Sequence, residues 1–259
     1  MTAREAMHEI RQTTIDLDTW RLRTRHLEIP EEGSDLALDN SKFTHHAISE
    51  FIRSSLISAG EHLRLAAIAI HQGILFPTSH FTVLRGALVS SAQACWLLAP
   101  DESTERQRRG LSALDAMYGE MIKYANAVSA MSDDTADRNA LETKLPYLHD
   151  CRAELTAVRK GDKLALNQTM FISAALTETL PDRPELIEHG NALWREMSSD
   201  AHALGWSLLQ RAVFAPGGDS GPTEATVVPN LVEIQAPYMI SFLLLERGWS
   251  MFDARSKAK

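Results

Sequence analysis

The chain has 259 residues, of which 44% are hydrophobic and 23% charged, so it can bury a sizeable core and is too apolar for intrinsic disorder. Its formal net charge of -8 argues against a protein that coats nucleic acid non-specifically. The longest apolar run, Tyr238 to Leu245, is shorter than the roughly 18 residues of a membrane helix, the opening MTAREAMHEIRQ has no apolar signal core, and Cys95 and Cys151 form no CxxC, a combination that reads as cytoplasmic with no membrane partner.

Residues 1–28 predict one helix, with Ile10, Leu17, Trp20 and Leu27 near heptad spacing and Ile29-Pro30 stopping the pattern. The polar stretch EEGSD then serves as a linker. A second helix is predicted from about Ser41 to His71, its seam formed by Ile52, Leu56, Ala59, Leu63, Ala66 and Ile70 and closed by Gly73 and Pro77. A third runs from about Ser79 to Leu98 and a fourth from about Ser103 to Met131. Asp133 and Asp134 suit the cap of a fifth, interrupted by Pro146 and stopped near Gly161. A sixth spans Leu164 to Leu180. Asp182-x-x-Glu185 reads as a capping box opening a long helix from about Arg183 to Val213. Residues 215–230 form the one long loop, where a short strand at Thr226 to Val228 has room to form. A last helix, 231–252, is predicted to kink at Pro237 and is apolar on nearly all sides, which makes it either central or shared with a partner chain.

Nothing repeats with a period of 20 to 50 residues and no useful stretch alternates with period two. The expected fold is therefore all-α: a single bundle domain over residues 1–259, with about seven or eight mostly antiparallel helices, a peripheral N-terminal helix over 1–30 and an irregular loop near the C-terminus.

No phosphate-binding glycine loop, GxSxG elbow, HExxH or paired CxxC is present, and a single ExxH, Glu5 to His8, falls short of a di-iron set; no cofactor or metal is expected. The richest stretch is the helix after Asp182. At 100° per residue, Asn191, Arg195, Ser198, Ser199, His202 and Trp206 share one sector, and Leu186, Leu193, Met197, Ala201, Leu204 and Leu208 the opposite one. A tryptophan in a polar row predicts that the row is partly covered.

Arg195 and His202, with six residues between them on a late helix, resemble the Arg-x(4–6)-His motif of the HEPN superfamily. The chain holds four such spacings, and only this one lies on a well-patterned polar stripe. That resemblance implies an all-α dimer acting as a metal-independent endoribonuclease of a toxin or defence type. His202 would be the general acid or base, Arg195 would steady the scissile phosphate, and Ser198 would assist by hydrogen bonding. RNA would be the partner and a second copy would complete the cleft. In many HEPN motifs a small polar residue follows the arginine; here it is Glu196, whose charge would repel phosphate if it faced inward.

The segments EHLRLAAIAI, FTVLRGALVSSAQACWLLAP and ERQRR resemble a group of uncharacterised actinobacterial helical proteins, which also carry a later Ser-x-x-x-His helix matched by Ser198 and His202. Val89 replaces that group's glutamate and so removes the i,i+4 partner of Arg85. A partly buried Arg85 needs a carboxylate or an anion. Glu61 and Glu105 are the candidate partners, and Arg85 with Arg109, and Arg195 as a third cation, the candidate anion pocket. A further arrangement is a three-histidine site from His62, His149 and His202, as in DinB-like bundles. Three readings follow: a HEPN-like ribonuclease, a non-catalytic module acting through homodimerisation or partner binding (by way of the 231–252 helix), and a small-anion- or metal-binding bundle.

Overall fold

The computed structural model describes residues 1–131, 135–162, 164–215 and 224–258. The fold is all-α with one small antiparallel hairpin. Contacts divide the chain into two compact units: Met1–Glu28, Arg53–Ala99 and Gln168–Phe252 form the first, and Ile29–Ile52, Pro100–Asn167 and Asp253–Lys259 the second. The sequence reads as one domain because, of its two linker-like stretches, EEGSD lies beside the first boundary and the loop at 215–230 beside none; the boundaries at 52/53 and 252/253 fall inside continuous helices.

In the first unit, residues 1–28 form two helices, α1 (Ala3–Gln12) and α2 (Thr14–Arg23), where one was predicted. Thr13 divides them. It is buried, and its hydroxyl donates to Ile10 O at 2.8 Å and lies 2.8 Å from the Tyr238 hydroxyl. A threonine hydroxyl that finds a local carbonyl competes with helix continuation. The Thr2 capping box at the start of α1 does form.

Helix α5 (Ser79–Leu98) matches its predicted bounds. It packs against α8 (Gln168–Thr179) and α9 (Pro184–Ala201), which also contact each other. By length and hydropathy α5 could cross a membrane, although its longest apolar run is short; 61% of its most apolar window is buried in the fold. Each fully buried Leu, Ile or Phe of this core contributes about 1.5–3 kcal/mol.

Residues 231–252 of α11 (Leu231–Ser256) lie at the centre of the same unit, and Ile240, Phe242, Leu244 and Leu245 are all buried there. Cys95 donates its thiol to Leu244 O at 3.1 Å. Gly248 lets residues 53–71 of α4 (Ile48–His71) approach: a Cβ at that glycine would stand 2.5 Å from Leu56 Cδ2. Its apolar side chains are thus largely buried within the unit itself.

The second unit holds α3 (Asp35–Asn40), α6 (Ser103–Met131) and α7 (Thr135–Arg159), with α6 against both α7 and α3. Helix α3 lies where EEGSD was expected to lead directly into α4; Ser34 caps it by accepting from Ala37 N–H. Arg106 is 1% exposed and donates to Asp39 Oδ2 at 2.7 Å and to the carbonyls of Pro100 and Asp101. Pro146 lies within α7 without ending it, and the predicted cap at Asp133 and Asp134 lies outside the described residues.

The largest departure concerns the helix after Asp182. No capping box forms: Arg183 is the N-cap without a side-chain bond, Pro184 opens α9, and Glu185 pairs with Arg183 instead. The helix stops at Ala201 rather than near Val213. Ala203 adopts φ +53°, Leu204 N–H returns to Ser199 O at 2.9 Å and Ala203 N–H to Asp200 O at 3.2 Å. Those bonds make a Schellman stop with alanine at the position that usually holds glycine. Gly205, at φ +77°, starts α10 (Trp206–Arg211), and β1 (Ala212–Ala215) pairs with β2 (Glu224–Val227). The predicted strand at Thr226 to Val228 thus lies close to β2, while residues 216–223 of the loop lie outside the described residues.

Candidate functional site

Arg195, Ser198 and His202 lie on the last two turns and the C-cap of α9 in the first unit. Arg195 and His202 are exposed, and Ser198 is half-buried. Arg195 has no ion pair among the described residues. Glu196 faces Arg211 instead, with Oε1 3.5 Å from Arg211 Nε, and burial pushes its carboxyl above the usual range while Arg211 opposes that shift. The glutamate that threatened to repel phosphate is therefore engaged elsewhere.

Arg211 fastens the chain reversal. It returns from the end of α10 to Asp200, whose side chain is fully buried, with Nη2 at 2.7 Å from Oδ1 and 2.5 Å from Oδ2. Its guanidinium lies 3.9 Å over the Phe81 ring and donates to Pro77 O. The rest of the predicted row separates. Ser199 is buried with its Oγ 3.1 Å from that of Ser207, Asn191 bonds Ile187 O, and Trp206, 38% exposed, belongs to α10. Leu204, expected in the core, is 66% exposed because the Schellman stop swings it outward.

Arg85 of α5 joins this row. Its Nε donates to Ser198 Oγ at 3.3 Å, its Nη2 to Gln168 Oε1 at 3.0 Å, and its guanidinium lies 4.6 Å over the Trp194 ring. Trp194 is in turn held by Thr169, which accepts from Nε1 at 3.2 Å. Partial burial pushes the Arg85 guanidinium below its ordinary value. No carboxylate pairs with Arg85 among the described residues, so neither Glu61 nor Glu105 is its partner. Arg109 belongs to the second unit, where Glu105 accepts from its Nε at 2.9 Å.

His62 packs against Gly86, and burial lowers its pKa. Among the described residues no group of three or more His, Cys, Asp or Glu side chains is placed to hold a metal ion, which gives the three-histidine alternative no support. Chemically, the α9 row offers two arginines without a carboxylate partner among the described residues, a hydroxyl and an accessible imidazole. Gln168, Trp194 and Arg211 were missed from sequence; Arg211 was assigned to an unbroken helix, and only the αL residue pair at 203 and 205 brings it back.

No family model, no curated protein and no solved structure matches this chain.

Proposed function

We propose that the chain is a HEPN-like helical protein acting as a metal-independent endoribonuclease of a toxin or defence type, with Arg195, Ser198 and His202 as its site and Arg85 as an additional cation. The observation carrying this reading is Arg85 at Ser198, one turn from Arg195, with no carboxylate paired to either among the described residues. A phosphodiester supplies the negative charge that both lack. His202 is exposed, so its ring is open to a substrate.

In the proposed reaction the ribose 2′-oxygen attacks phosphorus, a 2′,3′-cyclic phosphate forms, and the bond to the 5′-oxygen breaks. One imidazole takes the 2′-hydroxyl proton and a second protonates the leaving 5′-oxygen. Two α9 rows in a homodimer supply the two. The arginines offset the charge that builds on the phosphate oxygens.

The deciding experiment compares RNA cleavage and cell toxicity of the wild type with His202→Ala. The variant is expected to lose about 10²–10⁴-fold in cleavage rate and to lose toxicity. Its unfolding midpoint should not move, because the ring is exposed. Equal cleavage and toxicity from both proteins removes the catalytic reading.

A second reading, a non-catalytic module acting through self-association, draws on the exposed apolar side chains next to the row: Leu204 (66%), Leu209 (61%), Val213 (68%) and Phe214 (53%). It predicts a dimer that Leu209→Ser with Phe214→Ser converts to monomer, with no RNA cleavage by either.

A further inference from the structure

The second unit contains a cleft of about 300 Å³, near the lower end of small-molecule sites, lined by Lys42, Thr104, Arg108, Arg159, Lys160 and Asp162 among others. Four cations and one carboxylate on a single cleft are unexpected in a chain of net charge -8.

Arg159, the last residue of α7, is 9% exposed. Its Nη1 lies 3.3 Å from Asp115 Oδ2, but its Nε is buried with no hydrogen-bond partner among the described residues. A buried guanidinium N–H that bonds to nothing has lost water without compensation, the most costly state such a group can occupy. Arg108 is held by Asp162 at 2.9 Å and Glu105 at 3.3 Å. Lys42 and Lys160 are exposed and have no ion pair among the described residues.

The backbone adds a separate indication. Lys160 adopts φ +50° and Gly161 φ +82°. Lysine rarely occupies that region, which glycine enters without strain. Cations at the end of α7 complement its dipole, but a dipole does not satisfy a buried Nε. Thr104 and Arg108 line the facing side from the first turns of α6, where helix N–H groups favour an anion.

We propose that this cleft binds a small phosphate-bearing ligand, its oxyanion taken by the Lys42 and Lys160 ammonium groups beside the Arg159 guanidinium. The site is distinct in its residues from the α9 row, so either proposal can fail alone. Inorganic phosphate and the phosphate of a nucleotide present the same oxygens, and the test separates them.

The full chain is titrated at low ionic strength with inorganic phosphate and, separately, with a nucleoside monophosphate. Heat is recorded together with the Arg159 Nε–H resonance. Saturable one-site binding that shifts this resonance is expected. Lys160→Gly and Lys42→Ala should each weaken it roughly tenfold, and Lys160→Gly should not lower the unfolding midpoint, because glycine relieves the backbone. Tighter binding of the nucleotide identifies a nucleotide site; equal binding identifies the phosphate group alone; both support the proposal. Absence of saturable binding of both ligands up to about 10 mM overturns it. So does binding that leaves the Arg159 resonance and the Lys160→Gly affinity unchanged. Both lysine variants alter exposed side chains, so the result does not depend on a substitution at buried Arg159.

Discussion

His80 accepts a hydrogen bond from Phe76 N–H through Nδ1 at 3.1 Å, while its Nε2 is buried without a partner among the described residues. Burial lowers its pKa below 6.5, and His62 and His71 shift the same way by burial. The unfolded chain therefore takes up protons first as pH falls. Stability from these rings is complete above about 6.5 and is lost as pH drops through the folded-state values. Urea unfolding at pH 7.5 and 5.5 should show this slope, and His80→Asn, which keeps an acceptor for Phe76 N–H but does not titrate, should make it shallower. Arg85 illustrates how far sequence reaches at this scale. Its need for a partner was legible from the missing glutamate at Val89, but the partners were not, because Ser198 lies 113 residues away and reaches Arg85 only through tertiary packing.

Among the elements, α9 and α10 depart furthest from the sequence reading, and the reason is physical. The apolar period continues through Leu204 and Leu208, and no proline or glycine stands between Ala201 and Leu204. The stop is instead set by a left-handed alanine and by Arg211 clamping Asp200. Two outcomes test that account. Ala203→Gly relieves the left-handed Cβ penalty and should raise stability by about 1 kcal/mol, read from the urea midpoint. Arg211→Met leaves the Asp200 carboxylate buried and unpaired, and should cost about 3–5 kcal/mol in the same measurement. The bounds of α5 and α6 were fully legible, since Pro77 and Pro100 stand just outside these helices and each has a long apolar seam.

At the scale of the whole molecule, each unit carries one free, buried cysteine: Cys95 in the first and Cys151 in the second. Burial pushes the Cys95 thiol far above its ordinary range. Mass-resolved alkylation should therefore label neither in native buffer. With rising urea, Cys151 should be labelled at lower concentration than Cys95, because the second unit has the smaller apolar core. Labelling in the reverse order would show that core size does not set which unit opens first. The sequence supported one domain because helical seams persist across the boundaries inside α4 and α11; a contact map, not a composition shift, divides them.

The threading of the first unit has a consequence during synthesis. Helix α5 leaves the ribosome early, yet the Leu244 carbonyl that receives its Cys95 thiol follows almost 150 residues later. At translation rates of roughly 5–20 residues per second, its most apolar surface waits on the order of ten seconds for its cover. A nascent chain in that condition is a substrate for a holding chaperone, and depletion of such a factor should send this protein into the insoluble fraction before any finished copy unfolds.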